Sequence, residues 1–429
     1  MINKLKPKSE FSKNVLTLMT GTTIAQAIPI AITPILTRMY TPNDFGVFAL
    51  FVAVTAVLGS ISNGRYELSI MLPKKDEDAI NIFALGFIIT CFVSFLLLIL
   101  VIIFNDYFTR LLGNDEISFW LYFMPISVFF IGLFNLLNYF NNRRKNYKDL
   151  RNAIIFKSII LVITQLSIGF IKQGAMGLIS GEILSRMASN SKLLKNIVKD
   201  KILISKISKI KIIALGKRYK DFPKYNILST TADVLTLQLP FLMIPKIFNL
   251  SISGFFFFSQ KIISLPASLI SKSISQVLFQ KMTENKNKNL ENMDLLLKTI
   301  KKLLIISLFI SINIIIFGQD LFEIIFGDNW KLSGIILQYL AVIFIITFVV
   351  STVSVAFSVT MELKKLAFWQ YLYLISSMIF FTFFLYYDFT IKEFLFFYVI
   401  HEYIHYTIYL VLILLSVKKM DKEIILKGK

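Results

Sequence analysis

Eleven ionisable residues stand inside stretches that are otherwise apolar: Arg65, Glu67, Lys157, Glu182, Arg186, Asp233, Lys261, Lys272, His401, Glu402 and His405. An ionised group at the middle of a bilayer costs about 2.5–3.5 kcal/mol on insertion scales, so such groups face a wet cavity or a partner. Lys261, Ser264, Ser268, Ser271, Lys272 and Ser275 recur at steps of three and four. On a helix this spacing puts Lys261 and Lys272 on one face, about 16 Å apart along the axis. A Ser/Lys stripe of this kind reads as the wall of a hydrated, cationic cavity suited to an anion. For Lys272 the alternative is snorkelling to the inner surface. Arg65 is a further cavity cation, with an ion pair to another helix as the alternative. Glu67 lies about 200° round a continuous helix from Arg65, so the spacing predicts that the two do not pair. Glu182 and Arg186 stand at i, i+4, where opposite charges satisfy each other, and Arg186 is the fourth candidate anion ligand. Asp233, among Thr230, Thr231, Thr236 and Gln238, suits a coupling cation or proton, or it counters a lysine of the Ser/Lys stripe. Glu67 and Glu182 are the other candidates for ion coupling. Lys157, near a predicted helix end, reads as a snorkelling anchor.

Two literal motifs carry less. His401-Glu402-Tyr403-Ile404-His405 fits H-E-x-x-H, which sets two imidazoles on one helical face for zinc. Only Asp421 and Glu423 follow it, and no third histidine exists, so a polar cluster inside a helix bundle is the reading adopted and no metal site is assigned. Asp76-Glu77-Asp78 sits beside Lys74 and Lys75 in a short turn and reads as a solvated charge run. No G-x-x-x-x-G-K-[ST] run occurs, which excludes ATP hydrolysis by a P-loop. The single cysteine, Cys91, excludes an internal disulfide framework. No catalytic residue and no cofactor is assigned, and the chain is not read as an enzyme.

The elements that must position these groups follow from composition. Of 429 residues 56% are hydrophobic, 17% are charged and 42 are Phe, and the mean hydropathy is +0.69. Too few polar residues remain to coat a soluble body of this size, so the chain is all-helical and polytopic in a membrane. About 20 apolar residues span the hydrocarbon core. Twelve such stretches are predicted: 14–36, 45–72, 80–104, 117–140, 153–171, 174–194, 225–245, 250–279, 303–318, 332–358, 366–387 and 394–417. With both termini in the cytoplasm, 35 of the 46 Lys and Arg residues fall inside, 6 outside and 5 within spans. This positive-inside asymmetry accounts for most of the +20 net charge without nucleic acid. The basic start Lys4-Leu5-Lys6-Pro7-Lys8 precedes a run long enough to span and reads as part of a retained first helix, not a cleaved signal.

The segment 195–224 alternates Ile, Leu and Val with Lys, the pattern of a basic amphipathic helix on the anionic inner leaflet. It divides the chain into an N-terminal six-helix lobe (1–194) and a C-terminal six-helix lobe (225–429). Six spans per lobe give both lobes one orientation, as parallel repeats about a pseudo-two-fold axis have. Pro34 with Gly46-Val47-Phe48 is echoed by Pro245 with Gly254-Phe255-Phe256.

Two regions resemble a known family. Asn14 to Gln26 is followed by Pro34-Ile35-Leu36-Thr37-Arg38-Met39-Tyr40-Thr41-Pro42-Asn43-Asp44-Phe45-Gly46, then by Asn63-Gly64-Arg65-Tyr66-Glu67-Leu68 and Met71-Leu72-Pro73. This resembles the amino-terminal signature of Wzx-type polysaccharide flippases, the O-antigen and capsule branch of the MATE-like exporter superfamily. Lys261 to Ile270 resembles the same family's eighth helix, where an Arg commonly stands at the position of Lys261. The resemblance implies a MATE-like fold in the bacterial cytoplasmic membrane. It also implies a substrate, an oligosaccharide repeat unit on undecaprenyl diphosphate, carried outward by alternating access, with membrane lipids around it and a glycan polymerase and chain-length regulator as possible partners. Any uphill drive would come from a proton or sodium gradient. A cation-coupled multidrug antiporter shares that fold and is the alternative.

Overall fold

The computed structural model describes residues 10–171 and 174–427, with the side chains of 10–16, 18, 19, 265–267, 269 and 427 left aside. The basic start Lys4–Lys8 and the expected outside charge Lys172 lie outside the described residues. Among the described residues there is no strand. Twelve helices among the described residues reach 20 residues or more and are numbered here α1 (Glu10–Met39), α2 (Pro42–Ile61), α3 (Asp76–Leu112), α4 (Met124–Arg143), α5 (Tyr147–Gly169), α6 (Met176–Val198), α7 (Asp221–Ile247), α8 (Leu250–Asn287), α9 (Met293–Phe326), α10 (Lys331–Val353), α11 (Leu363–Tyr386) and α12 (Ile391–Lys427). They fall one for one on the twelve predicted stretches. Nine helical segments among the described residues are long and apolar enough to cross a membrane. Helix α6 is not one of them, because Glu182, Arg186 and Lys192 dilute its apolar content.

The second predicted span is not continuous. Thr41 opens α2 with a capping box: its hydroxyl accepts from the Asp44 backbone N–H, and Asp44 accepts from the Thr41 N–H at 2.8 Å. Pro42 occupies the first turn, where its missing N–H costs nothing. The helix stops at Ile61 instead of running to 72. Gly64 and Arg65 then take positive φ of 60° and 61°, and the chain resumes as a 3-10 helix, Tyr66–Met71. Asn63 holds the break in place, its amide donating to Thr90 Oγ1 on α3 at 2.8 Å and to the Gly132 carbonyl on α4 at 3.0 Å.

The chain forms two compact units, one ending at Gly254 and one beginning at Phe255. The first therefore runs past the linker at 195–224, where the sequence reading ended the N-terminal lobe, because α7 packs against α2. The start of α8 joins the same contact. A Cβ on Gly46 would stand 2.0 Å from the Leu250 carbonyl oxygen, and one on Gly254 would stand 1.8 Å from that of Pro42. The two glycines of the weak Pro/Gly echo thus meet at one backbone-to-backbone crossing. Tyr40, at the end of α1, donates its hydroxyl to the Gln165 carbonyl on α5 at 2.5 Å.

The linker is docked, not loose. It holds two short helices, Lys201–Ile204 and Lys209–Arg218. Leu203 and Leu215 are buried in a core with Ile70, Ile80, Phe83 and Phe140. Asn81 clasps it further, donating to the Lys206 carbonyl and accepting from the Ser208 N–H. The acidic run Asp76-Glu77 pairs on the same side: Asp76 with Arg143 and Arg144, and Glu77 with Lys211 at 3.1 Å. It is therefore an ion-pair anchor, not a purely solvated run. Ile202 and Ile210 remain 78% and 81% exposed.

In the second unit, α9 and α10 pack along each other and α12 lies against α10 and α11. Trp330 is buried among Phe255, Phe258 and, through Phe258, Phe322 and Phe326. Ser259 donates to the Ser333 carbonyl at 2.7 Å and so locks α8 to α10.

Candidate functional site

Arg65 caps the break after α2. Its side chain is 19% exposed and its Nη1 lies 3.0 Å from Glu67 Oε1, whose side chain is 2% exposed. The continuous-helix geometry that would have set them about 200° apart does not apply, because the left-handed turn at Arg65 folds the chain back toward Glu67. The pair is not saturated: Arg65 Nε and Glu67 Oε2 are buried with no hydrogen-bond partner. Arg65 is the cation of the signature that stands at this break. Tyr40, Thr41, Asp44 and Asn63 spend their polar atoms on helix caps and crossings.

A second ionic group joins α5 and α6. Glu182 Oε1 lies 2.5 Å from Arg186 Nη2, the i, i+4 pair expected, and also 3.4 Å from Lys157 Nζ. Lys157 is not an anchor at a helix end. Helix α5 begins at Tyr147, six residues before the predicted start, which carries Lys157 into the helix interior. One carboxylate is thus shared by two cations, so the group carries a surplus positive charge, and Arg186 Nε is left without a partner. Asp233 is half-buried on α7.

In the second unit the Ser/Lys stripe of α8 stands apart from its packed face. Lys261 is half-buried and Ser264, Ser268 and Lys272 are exposed, whereas Phe256, Phe258, Ile263 and Leu278 are buried. Ser271 departs from the stripe: its hydroxyl pairs with Thr352 on α10. Beside Lys261, residues Ile262 and Ile263 line an apolar groove of about 260 Å³ with Ile314, Phe322 and Phe344.

The third group is the former zinc motif. Glu402 accepts from the Tyr373 hydroxyl at 2.7 Å and lies 3.2 Å from His401 Nδ1. Ser376 Oγ stands between the two imidazoles, 3.3 Å from His401 Nε2 and 2.7 Å from His405 Nε2. Among the described residues, no group of three or more His, Cys, Asp or Glu is placed to hold a metal ion. Both imidazole Nε2 atoms face Ser376 Oγ. From the sequence Lys157 was read only as an anchor, and Tyr373 and Ser376 were not singled out. Lys157 could have been found as the charge able to face Glu182 from the preceding helix. Tyr373 and Ser376 could have been found as an i, i+3 polar pair in an apolar run.

With these groups placed, comparison with known proteins becomes informative. The Polysaccharide biosynthesis protein family is matched by residues 35–334, well over half of the chain. The chain belongs to that family. No curated protein matches it in sequence. Solved structures match the fold of this polysaccharide biosynthesis protein along nearly its whole length. An inward-facing multidrug resistance MATE family transporter of the MOP superfamily gives a TM-score of 0.66 at 14% identity, covering 95% of each chain. An outward-facing one gives 0.61 at 14% identity, covering 95% of this chain and 96% of the other. A MOP superfamily transporter from Pyrococcus furiosus, described as having a binding pocket of reverse polarity, gives 0.58 at 15% identity, covering 95% and 96%. The fold is therefore MATE-like, and the chain is a multi-pass membrane protein.

Proposed function

We propose that this family member is a flippase that moves undecaprenyl-diphosphate-linked oligosaccharide units from the inner to the outer face of a bacterial cytoplasmic membrane. In this reading both termini are cytoplasmic and a glycan polymerase acts on the product. The observation that carries the proposal is the shared carboxylate of α5 and α6. Two cations, Lys157 and Arg186, on one acid, Glu182, leave positive charge at the level of the apolar helices, where an anion is needed to balance it. A diphosphate is such an anion, and it could not cross hydrocarbon bare. In the first unit Arg186 and Arg65 would replace its water with charge-assisted donors, and Lys261 and Lys272 are the candidate cations of the second. Arg65 and Arg186 each have a buried Nε without a hydrogen-bond partner. The sugars would travel with the head group while the isoprenoid stays among lipid tails. Asp233, Glu67 and Glu182 are the carboxylates through which a proton or sodium gradient would act. The chain holds no P-loop, and neither catalysis nor a resident cofactor enters this reading.

A cation-coupled multidrug antiporter has the same fold. A surplus cation is the wrong complement for a cationic drug, and membership of a polysaccharide family favours the lipid-linked sugar.

The test is a deletion strain. Lipid-linked oligosaccharides are extracted and identified by mass spectrometry while surface glycan is assayed. Accumulation of single repeat units with loss of surface polymer, restored by the wild-type gene but not by Arg65→Ala or Lys261→Ala, is the expected result. Unchanged intermediates and unchanged glycan would overturn the proposal.

A further inference from the structure

The His401–Glu402–His405 cluster takes no part in the reading above, and it is built with care. Glu402 and His405 are buried, and Tyr373 and Trp369 on α11 close over them. The Trp369 indole donates to the His405 carbonyl at 2.9 Å and its ring stacks on Tyr373 and Tyr409. Charges elsewhere on the surrounding helices keep their distance. On α12 the next are Lys392, Glu393 and Lys418, about 12 Å or more along the axis. Helix α10 has no charged residue between Leu332 and Val353, and meets α12 where Tyr403 donates to the Val342 carbonyl. Helix α9 has none between Leu303 and Gln319, and the short helix Ala356–Thr360 has none. Helix α8 touches α12 at Phe256 on Tyr398 and carries Lys261 and Lys272. On α11, Lys364 and Lys365 lie about two turns from Tyr373, and Lys365 contacts Glu362 and Ser416. The other titratable side chains around the cluster are Tyr398, Tyr406 and Tyr409.

The hydrogens of this chain can be counted. Tyr373 donates to Glu402 Oε2, and His401 donates Nδ1–H to Oε1. A neutral His401 then presents its Nε2 lone pair to Ser376, whose hydroxyl donates to it while His405 Nε2–H donates to Ser376 Oγ. Each of these contacts then has a donor and an acceptor, with His405 Nδ1 left unpartnered, and the cluster carries the single negative charge of Glu402. Ser376 Oγ has a second acceptor, the Tyr373 carbonyl at 3.0 Å. If the hydroxyl turns to that oxygen, both imidazole Nε2 atoms must become donors to Ser376. This requires one more N–H bond, on His401 Nε2, formed with a proton taken from water. The resulting imidazolium faces the Glu402 carboxylate at 3.2 Å, and the cluster is neutral.

We propose that His401, Glu402 and Ser376 form a one-proton site in the second unit, with the Ser376 hydroxyl turning between His401 Nε2 and the Tyr373 carbonyl as the proton arrives and leaves. This goes beyond the flippase reading, which left ion coupling to carboxylates of the first unit. The proton site is tested without substrate, so its failure and that of the flippase reading are separable.

The test uses the full-length protein in lipid nanodiscs with Trp120→Phe and Trp330→Phe, so that Trp369 is the one remaining of three tryptophans. Imidazolium quenches indole emission, and Trp369 is bonded to the His405 backbone. Emission is followed from about pH 5 to about pH 9, the range in which histidine switches. The expected result is a single one-proton transition that His401→Gln abolishes. Glu402→Gln, which removes the facing anion, should lower its midpoint by about one unit or more. Ser376→Ala keeps every titratable group and should shift the midpoint by about half a unit, the worth of one neutral hydrogen bond. It also serves as the folded control should His401→Gln fail to fold. Absence of a transition, or a midpoint unchanged in both Glu402→Gln and Ser376→Ala, would overturn the proposal.

Discussion

Replacing Glu182 by Gln keeps the shape of the side chain and removes its charge, so the effect isolates the electrostatics of the α5–α6 group. Lys157 Nζ and Arg186 Nη2 lie 3.4 Å and 2.5 Å from the same Glu182 oxygen, hence no more than about 6 Å from each other. At an effective dielectric constant of about 20, two like charges at that separation repel by about 3 kcal/mol. In the wild type the carboxylate more than offsets this; in Glu182→Gln it stands uncompensated. The expected destabilisation is therefore about 3 kcal/mol, within the range for stripping one partner from a buried pair. Equilibrium unfolding by SDS in mixed micelles measures it. The decisive variant is Glu182→Gln with Lys157→Met, which removes the repulsion and should recover about 2 kcal/mol or more of the loss. A Glu182→Gln protein within about 0.5 kcal/mol of wild type, or a double variant no more stable than the single one, would refute the shared-carboxylate reasoning.

Other perturbations separate scaffold from function. Arg65→Gly with Glu67→Gln relieves a non-glycine residue from φ of 61°, worth about 1 kcal/mol or more, and leaves no buried carboxylate unpaired. The double variant should unfold no more easily than wild type and yet lose glycan export; retained export would remove Arg65 from the substrate path. Gly254→Ala would set a methyl group 1.8 Å from the Pro42 carbonyl oxygen, and backbone cannot yield as a side chain does. Destabilisation of about 1–3 kcal/mol is expected on chemical unfolding, and a neutral effect would disprove the close crossing. In the turn before α11, the hydrogen bond from Lys419 holds the Glu362 carboxyl below its usual 4.5 against the opposing effect of burial, with the Lys365 and Lys419 charges adding to the lowering. A depressed value means that this tie is complete above pH 4.5 and is lost as the pH falls through the lower, folded-state value. Carbon-13 NMR of Glu362 should show the depressed midpoint, moved back toward 4.5 in Lys419→Met; a midpoint already at 4.5 would refute the pairing.

Much of the scaffold is written in hydropathy, because each long helix must present about 20 apolar residues to lipid whatever its neighbours do. What hydropathy does not record is continuity. The apolar content of 45–72 hides a stop at Ile61, although Ser62-Asn63-Gly64 is turn chemistry of the ordinary kind. The error then propagated to the site, since the angle between Arg65 and Glu67 was taken from a helix that is not there. The Glu182–Arg186 pair was readable because i, i+4 is local. Its third member was not, because Lys157 lies 25 residues earlier and meets Glu182 only through packing of α5 on α6. Ser271 shows the converse. Its spacing fits the stripe, but its hydroxyl is taken by Thr352, 81 residues away.

The crossing of Gly46 with Leu250 and of Gly254 with Pro42 also has a consequence for biosynthesis. The first unit closes only when the start of α8 exists, some 190 residues after α2 is made. When α6 leaves the ribosome at Val198, the face of α2 that α7 will cover is still bare, with 56 residues to Gly254 still to come. At about 5–20 residues per second the exposure lasts roughly 3–11 s, far longer than a side chain needs to find a wrong partner in the bilayer. Ribosome stalling just after α6 should therefore leave a nascent chain that insertion chaperones hold and membrane proteases cut. Stalling far enough past Gly254 for the start of α8 to clear the ribosome should leave one that they do not.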